Sequence, residues 1–343
     1  MLRSVLIGAG SIGGSVAAMI TEAGCPLDVV AHGEEKAALF RSPGFRLTGA
    51  FGDRCVPLQA FPSVEALEGQ YDICFIATKY QQMPQVARDM LPHLKKDSLV
   101  VSLQNGIVLD LLSDVVGEAR TVGVMIGYGA TLLEPNLVEV TAGDELRIGM
   151  PGGRTSPHLE SLAEMMSAVL PTKIDDDITA RLFSKVVFNS CINSVCGISG
   201  LDLGKALHYR PVRMAMLDIM REGDAVAQAM GLDVPRFNVL PKNSFIAAHD
   251  SRLFNIFMGR FLEIGMGIKS GKVHPSTLQS LEKGKKTEID IMNGYLAAKG
   301  LELGVPTPVN SWMTETIREI EDGKRPISRK NIWDLGRRFY RIF

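Results

Sequence analysis

A glycine-rich turn, Gly8-Ala9-Gly10-Ser11-Ile12-Gly13, lies near the start of the chain. It follows an apolar run at 2–7, which predicts a strand, and it opens a periodic stretch at 11–23, which predicts a helix. In this context Gly8 permits the tight turn, Gly10 lets a pyrophosphate approach the backbone, and Gly13 lets the helix pack on the strand. The pattern predicts a dinucleotide site in which the helix N-terminus supplies amide donors.

Strands and helices alternate through the first half of the chain. The predicted strands are 2–7, 27–31, 71–77 and 98–103, and the predicted helices are 11–23, 34–42, 80–94 and 107–115. Such alternation predicts right-handed βαβ units and a mainly parallel sheet. Three further strands are expected between 120 and 150, extending the sheet in mixed fashion, followed by a helix at 156–168 and a strand near 171–174.

The second half is helical almost throughout. Its predicted helices are 178–198, 211–230, 250–268, 283–302 and 308–321. We therefore predict an α/β protein with an N-terminal Rossmann-type dinucleotide-binding domain (1–175) and an all-helical C-terminal domain (176–322), followed by a basic and aromatic tail (323–343). A length of 343 residues fits two domains.

Composition excludes several classes of protein. Lys plus Arg is 37 and Asp plus Glu is 38, so the net charge of −1 argues against a broad nucleic-acid-binding surface. The apolar runs are too short or too interrupted for a membrane span. The five cysteines form no CxxC pair, which predicts reduced thiols in a cytoplasmic protein and no zinc site.

The end of the second predicted strand bears on the choice of dinucleotide. An NAD site usually has an acidic residue there for the ribose hydroxyls, but this strand ends at Ala31-His32-Gly33, and Asp28 lies at its start. His32, together with Lys36 and Arg41, would accept a 2′-phosphate. The sequence therefore favours NADP and leaves NAD open; an ordinary loop histidine is the alternative for His32.

Two polar residues follow other strands of the predicted sheet. Lys79 comes just after the strand at 71–77, and Asn105 comes just after the strand at 98–103. Because ligands of α/β sheets bind beyond the carboxyl ends of the strands, both residues are candidates for the site. The alternatives are a surface lysine and an ordinary Asn-Gly turn.

A polar stripe marks the first helix of the second half. At roughly 100° per residue, Lys185, Asn189 and Asn193 fall on one face of an otherwise apolar helix. Buried polar groups need partners, and a polar substrate in a cleft would provide them. A stripe that merely contacts solvent or another domain is the alternative.

A further polar cluster lies between 274 and 290. Ser276 is typical of a helix cap, and Glu288 and Asp290 are typical of the surface of an amphipathic helix. Composition and spacing alone would not single out these residues.

Taken together, these motifs resemble the ketopantoate reductase (2-dehydropantoate 2-reductase) family over nearly the whole chain. Those that carry the resemblance are the glycine turn, Lys79, Gln-Asn-Gly at 104–106, Lys-x3-Asn-x3-Asn at 185–193, Ser276, Thr-Glu-Ile-Asp at 287–290 and Asn-Gly-Tyr at 293–295. The related β-hydroxyacid dehydrogenases share the lysine-to-asparagine spacing but lack the Thr-Glu-Ile-Asp cluster.

The resemblance implies that NADPH delivers hydride to the keto carbon of a small 2-keto acid, giving a 2-hydroxy acid. It implies that Lys185 is the general acid and that Glu288 orients the substrate and the lysine. The residues that it places on the substrate are Asn105, Asn189, Asn193 and Ser276. It also implies that Lys79 is close to the nicotinamide and binds the substrate. The cofactor-binding set is Gly8, Ala9, Gly10, Ser11, Ile12, Gly13, His32, Lys79 and Asn105.

Two positions depart from the family pattern. The family usually has arginine where this chain has His32, and aspartate where it has Ser280. The alternatives are therefore a reductase of the same family acting on another 2-keto acid, and a dinucleotide-binding sensor without catalysis. A homodimer is left open, and the tail is expected to dock on its own or on a partner subunit.

Overall fold

The computed structural model describes residues 2–141, 143–236, 241–270 and 274–341. The chain divides into two compact units, Met1–Leu182 and Phe183–Phe343. This division falls inside a helix, whereas the sequence analysis placed the domain boundary just before that helix. The boundaries of the functional domains stay a prediction.

The first unit is built on β-strands. In chain order they are β1 (Ser4–Ile7), β2 (Leu27–Val30), β3 (Phe45–Gly49), β4 (Arg54–Val56), β5 (Gln59–Phe61), β6 (Tyr71–Ile76), β7 (Leu94–Ser102), β8 (Thr121–Met125), β9 (Ala130–Glu134), β10 (Leu137–Val140), β11 (Leu146–Gly149) and β12 (Thr172–Ile174). Eight of them form the main sheet, in the order β12-β11-β8-β7-β6-β1-β2-β5. Its neighbouring strands are parallel except for β8 and β11. The central strands β1 and β6 are buried at every residue, as expected for parallel strands covered on both faces.

Five helices connect these strands: α1 (Ser11–Glu22), α2 (Glu34–Arg41), α3 (Met83–Met90), α4 (Leu109–Val116) and α5 (Leu159–Met166). Helix α1 buries Val16, Ala17 and Ile20 in the core that the sheet forms with α2 and α5. These alternating elements confirm the predicted Rossmann-type architecture of the N-terminal half.

A second sheet of four strands, ordered β4-β3-β10-β9, departs from the sequence-based expectation. Of the strands expected between 120 and 150, β8 and β11 do extend the main sheet, but β9 and β10 join this smaller one. The reason is long-range pairing, because β10 runs parallel to β3 and the Asn136 side chain donates to the Gly44 carbonyl at 2.8 Å. Neither contact has a local signal in the sequence.

The second unit is helical. Its helices are α6 (Ile178–Ser199, which begins in the first unit), α7 (Leu203–Leu207), α8 (Arg210–Ala229), α9 (Asn243–Ala247), α10 (Arg252–Ser270), α11 (Ser276–Glu282), α12 (Asn293–Leu303), α13 (Pro308–Glu321) and α14 (Lys330–Tyr340). The helix expected over 283–302 is shorter: α12 begins at Asn293, after a single 3₁₀ turn at Ile289–Ile291. The all-helical character predicted for this half is confirmed.

A buried polar network ties four of these helices together. The Glu222 carboxylate on α8 accepts hydrogen bonds from the backbone N–H groups of Val309 and Asn310, at 2.8 and 2.9 Å, and so caps α13. The Asn293 side chain donates to Asn310 Oδ1 at 3.0 Å and to the Ser190 carbonyl at 3.4 Å. The network thereby fixes the start of α12 against the middle of α6.

The C-terminal tail packs on its own unit. Ile332 and Leu335 of α14 are fully buried, and the Asn331 side chain donates to the Ile198 carbonyl at 2.8 Å. The Phe339 ring meets Trp312 edge to face. The last two residues of the predicted tail, 342 and 343, lie outside the described residues.

In the part of the chain that the structure describes, no helix is both long and apolar enough to cross a bilayer.

Candidate active site

The glycine turn has the geometry that its sequence predicts. Gly8 has a φ of +97°, and a Cβ there would lie 2.8 Å from the backbone nitrogen of Thr78. A Cβ on Gly13 would lie 2.2 Å from the Gly8 carbonyl oxygen. At Gly10, by contrast, a Cβ would meet no atom within 4 Å. Gly8 and Gly13 are therefore required by packing, whereas Gly10 borders open space.

The N-terminus of α1 suits an anionic ligand. Its N-cap residue is Gly10, which has no side chain to satisfy the first amides, and the first turn contains no acidic residue. The first-turn amides of a helix have no helical carbonyl to bond, and the helix dipole favours negative charge at this end. Ser11, Ile12 and Gly13 therefore present N–H groups suited to a pyrophosphate.

The three residues that follow β2, at positions 31–33, include no acidic residue that could bind ribose hydroxyls. Asp28 lies at the opposite end of the strand, buried, where its carboxylate accepts hydrogen bonds from the Tyr71 hydroxyl at 2.6 Å and from Arg3 at 3.2 Å. His32 is exposed, two residues beyond the end of β2. His32 therefore lies just beyond the carboxyl end of β2, and its role toward a 2′-phosphate stays a prediction.

Basic neighbours of His32 differ in what they contact. Lys36 is exposed on α2, one turn into the helix. Arg41 forms an ion pair with Glu34 of the same helix, so its charge is already compensated. His32 and Lys36 are the stronger candidates for a phosphate contact.

Lys79 and Asn105 lie beyond the carboxyl ends of β6 and β7, at one edge of the sheet. The loops that carry them are joined, because Gln104 Nε2 donates to the Thr78 carbonyl at 2.8 Å. Thr78 in turn packs against Gly8. The structure therefore brings the glycine turn, Lys79 and Asn105 to the same edge of the first unit.

The second unit carries the polar stripe. Burial lowers the pKa of Lys185 to about 8, and the nearby Glu288 carboxylate acts in the opposite direction. Desolvation disfavours the charged ammonium, and its effect on the pKa of Lys185 is larger than that of Glu288. The structure thus brings together the two residues predicted to be catalytic. Burial leaves Lys185 with a proton that is easier to release than that of an ordinary lysine, and Glu288 opposes this effect.

Glu288 does not lie in an amphipathic helix, and the expectation from the sequence is wrong on this point. It occupies the non-helical segment before the 3₁₀ turn. Two hydrogen bonds hold this segment: the Thr287 N–H donates to Glu321 Oε1 at 2.7 Å, and the Ile289 N–H donates to Thr287 Oγ1 at 3.1 Å. These side-chain acceptors replace helical carbonyls and stop a helix from forming there.

The remaining residues of the stripe follow Lys185 along α6. Asn189 is half-buried, and the buried Asn193 lies with its amide nitrogen 3.2 Å from the sulfur of Met292. Ser276 is exposed at the first turn of α11. That helix meets α6 at Gly197, where a Cβ would lie 2.9 Å from the Thr277 side chain. Ser276 therefore lies near the C-terminal end of the stripe.

Asn293, which connects α12 to α6, has no role predicted from the sequence. The Asn-Gly pair at 293–294 would ordinarily indicate an exposed turn, yet Asn293 is fully buried. The only sequence signal was its place in the Asn-Gly-Tyr motif.

The predicted site residues fall into two groups. The glycine turn, His32, Lys79 and Asn105 belong to the first unit, and Lys185, Asn189, Asn193, Ser276 and Glu288 belong to the second. The roles assigned to them stay predictions. Among the described residues, no group of three or more His, Cys, Asp or Glu side chains is placed to hold a metal ion.

Comparison with known families shows the family of the chain. The family described as ketopantoate reductase PanE/ApbA matches residues 5–153, and its C-terminal counterpart matches residues 177–321. The chain belongs to the ketopantoate reductase family. The glycine turn lies within the first matched range and the Lys185 stripe within the second.

Curated relatives of this ketopantoate reductase family member match it over most of its length. The 2-dehydropantoate 2-reductase of Archaeoglobus fulgidus is 26% identical over 94% of this chain and 98% of the relative. The enzyme of the same name from Aquifex aeolicus is 24% identical over 94% of this chain and 97% of the relative.

Solved structures show the same fold. A PanE/ApbA family ketopantoate reductase from Ralstonia eutropha has a TM-score of 0.78 at 26% identity, covering 94% of this chain and 99% of that one. A D-mandelate dehydrogenase, solved with NADH and anilino(oxo)acetate, has a TM-score of 0.77 at 23% identity, with coverage of 94% and 99%. This second likeness is evidence for the fold alone.

Proposed function

We propose that this protein is a nicotinamide-dependent reductase that converts ketopantoate to pantoate. The observation that carries the proposal is the Lys185 ammonium of lowered pKa beside Glu288, on the helix that also presents Asn189 and Asn193. Membership of the ketopantoate reductase family supports the substrate, and the relatives' shared name supports the reaction.

Lys185 supplies the proton in this reaction. When bound, the dinucleotide supplies the hydride, which adds to the keto carbon and leaves both electrons of the carbonyl π bond on oxygen. The Lys185 ammonium stabilises the developing alkoxide and then transfers a proton from Nζ to that oxygen, giving the hydroxyl group. The amides of Asn189 and Asn193 can donate to a carboxylate and accept from a hydroxyl, which suits a hydroxylated 2-keto acid.

The first unit holds the dinucleotide in this proposal. Open space beside Gly10 and the uncapped N-terminus of α1 fit a pyrophosphate. NADP is the preferred form, because Asp28 is buried in other contacts and His32 occupies the place of a phosphate-binding residue.

His32→Arg is expected to raise the preference for NADPH over NADH by about 10-fold, because a guanidinium binds a phosphate with two parallel hydrogen bonds and keeps its charge at every working pH. The measurement is kcat/KM with each cofactor in both proteins. His93→Arg is the control, since His93 is a half-buried histidine elsewhere in the first unit. An unchanged cofactor ratio in His32→Arg would remove residue 32 from the cofactor site.

The pH profile of ketoacid reduction should report the pKa of Lys185. A general acid must be protonated to act, so kcat/KM is expected to fall as the pH rises through about 8. The Glu288 carboxylate raises the pKa of Lys185, and Glu288→Gln should therefore move this limb to lower pH.

Asp290→Asn is the matched control for that shift. Asp290 lies two residues from Glu288 but is exposed and paired with Arg318 at 2.6 Å. Its loss should leave the position of the limb unchanged. A profile that is flat from pH 7 to pH 10, or a limb that moves equally in both variants, would contradict the assignment of Lys185 as the acid.

Another 2-keto acid is the second candidate substrate. Ser280 carries a neutral hydroxyl where the family pattern has a carboxylate, and it is half-buried on α11, one turn after Ser276. Comparing kcat/KM for ketopantoate with that for 2-keto acids that lack its hydroxyl group decides between the two. If a buried polar group hydrogen-bonds to that hydroxyl, kcat/KM for ketopantoate should be at least about 100-fold higher than for the other acids. A ratio of the two kcat/KM values near one would favour the second candidate.

A further inference from the structure

The segment that carries Glu288 is short and is anchored at both ends. It runs from Glu288 to Met292 and contains a single 3₁₀ turn, which supplies few hydrogen bonds of its own. Just before it, the Thr287 N–H donates to the Glu321 carboxylate on α13 at 2.7 Å. Just after it, Asn293 begins α12 and is fully buried. The position of Glu288 therefore depends on these two anchors.

The Asn293 side chain is the anchor that reaches α6. Its amide nitrogen Nδ2 donates to Asn310 Oδ1 on α13 at 3.0 Å and to the Ser190 carbonyl on α6 at 3.4 Å. One amide has two N–H bonds, so it can serve both acceptors at once. The side chain thereby joins the start of α12 to two other helices.

Glu222 on α8 sets which way the Asn310 amide faces. Its carboxylate accepts hydrogen bonds from Asn310 Nδ2 at 2.6 Å and from the Asn310 backbone N–H at 2.9 Å. Because Nδ2 is directed to this carboxylate, Oδ1 is turned toward Asn293, where it can only accept. All three side chains are buried, and a buried network whose links each pair a donor with an acceptor is rigid.

The contact with Ser190 sets the register of the segment along the polar stripe of α6. Ser190 lies five residues after Lys185 on this helix. Met292, which directly precedes Asn293, lies against the stripe as well, since its sulfur is 3.2 Å from Asn193 Nδ2. The C-terminal end of the segment is therefore fixed on the helix that carries the proposed acid.

We propose that Asn293 is a positioning residue that holds the segment bearing Glu288 against α6 and so keeps the Glu288 carboxylate beside Lys185. Asn293 acts through Glu288 and touches neither substrate nor cofactor. The proposal rests on the roles proposed for Lys185 and Glu288 in ketopantoate reduction. Their pairing is nevertheless measurable without a substrate, because Glu288 raises the pKa of Lys185.

NMR titration of the full chain, labelled with ¹³C at the lysine Cε atoms, measures this pairing. The signal of Lys185 is the one that Lys185→Arg removes. Without the anchor at Asn293, the Glu288 carboxylate moves away from the ammonium. Asn293→Ala should therefore lower the pKa of Lys185 by at least about half of the shift that Glu288→Gln causes. In a Glu288→Gln background, Asn293→Ala should cause no further shift.

Asn331→Ala is the matched control for the titration. Asn331 is also buried in the second unit, and its amide also donates to a carbonyl of α6, that of Ile198, at 2.8 Å. Its loss should cost similar stability but leave the pKa of Lys185 unchanged. Asn293→Ser, whose hydroxyl ends one bond short of the amide nitrogen, is a milder variant with the same expected direction. Thermal unfolding shows which variants are folded.

Kinetics with ketopantoate gives a second readout. In Asn293→Ala, kcat should fall about 10–100-fold, since small misplacements of a catalytic group are costly, and in Asn331→Ala it should stay within about threefold of wild type. An unchanged pKa of Lys185 in both variants of Asn293 would overturn the positioning role. So would an equal shift in Asn331→Ala, or an undiminished one in the Glu288→Gln background. A wild-type protein that does not reduce ketopantoate would overturn the proposed function instead, and the titration would still decide the role of Asn293.

Discussion

Lys185→Ala is expected to lower kcat for ketoacid reduction by about 10²–10⁴-fold, the usual effect of losing a positioned general acid. The substitution removes the group whose pKa burial lowers to about 8, so no protonated side chain remains at this position to neutralise the alkoxide. The fold should persist, because alanine favours a helix and removing an ammonium that burial penalises relieves a desolvation cost.

Lys185→Arg separates charge from proton transfer. Arginine keeps the positive charge but does not release a proton in this pH range, so kcat should stay low in this variant too. Small primary amines added to Lys185→Ala should restore part of the lost turnover, which a merely structural role would not allow.

Lys283→Ala is the control for both variants, since Lys283 is an exposed lysine of the same unit. Steady-state kinetics at saturating cofactor supplies the comparison. Turnover within about threefold of wild type in Lys185→Ala would remove this lysine from the acid role.

Gly10→Val is expected to weaken dinucleotide binding by about 100-fold or more while leaving thermal stability nearly unchanged. A side chain at this position would meet no protein atom within 4 Å, and the backbone angles of Gly10 (φ −84°, ψ −151°) do not require glycine. The added methyl groups would therefore occupy space that the pyrophosphate needs.

Gly13→Val provides the contrast for that experiment. Its Cβ would lie 2.2 Å from the Gly8 carbonyl oxygen and 2.8 Å from the Ala77 side chain, so this variant should lose stability as well as binding. Fluorescence titration with the cofactor and thermal unfolding measure the two quantities. Normal cofactor affinity in Gly10→Val would contradict the placement of the pyrophosphate at this turn.

The main architecture was predictable because its signals are local. Buried strands such as β1 and β6 appear in the sequence as short apolar runs, and the glycine turn between β1 and α1 has a defined spacing. Helical periodicity alone places Lys185, Asn189 and Asn193 on one face of α6.

Features that depend on long-range contacts were not predictable in the same way. The strand β4 has three residues, too few for an alternating pattern, and β3 pairs with β10 from far along the chain. Glu288 was expected in a helix because its neighbours permit one. The hydrogen bonds from the Thr287 N–H to Glu321 and from the Ile289 N–H to Thr287 Oγ1 override that local preference.

The exposed apolar face of α10, which carries Leu253 and Phe257, was not predictable from the sequence for a related reason. Apolar residues occur all around this helix, and such a pattern ordinarily predicts a buried helix. Only the packing of Met258 and Leu262 against the second unit shows which face is covered and which is left to solvent.

Hydride transfer to ketopantoate is tested most directly with NADPH that carries deuterium at the transferable position of the nicotinamide. The account predicts that the protein forms pantoate with deuterium at the former keto carbon, one for each NADPH oxidised. It also predicts that Lys185→Ala forms this product about 10²–10⁴-fold more slowly. Tight binding of NADPH without oxidation, or oxidation that leaves no deuterium in the product, would contradict the proposed reaction.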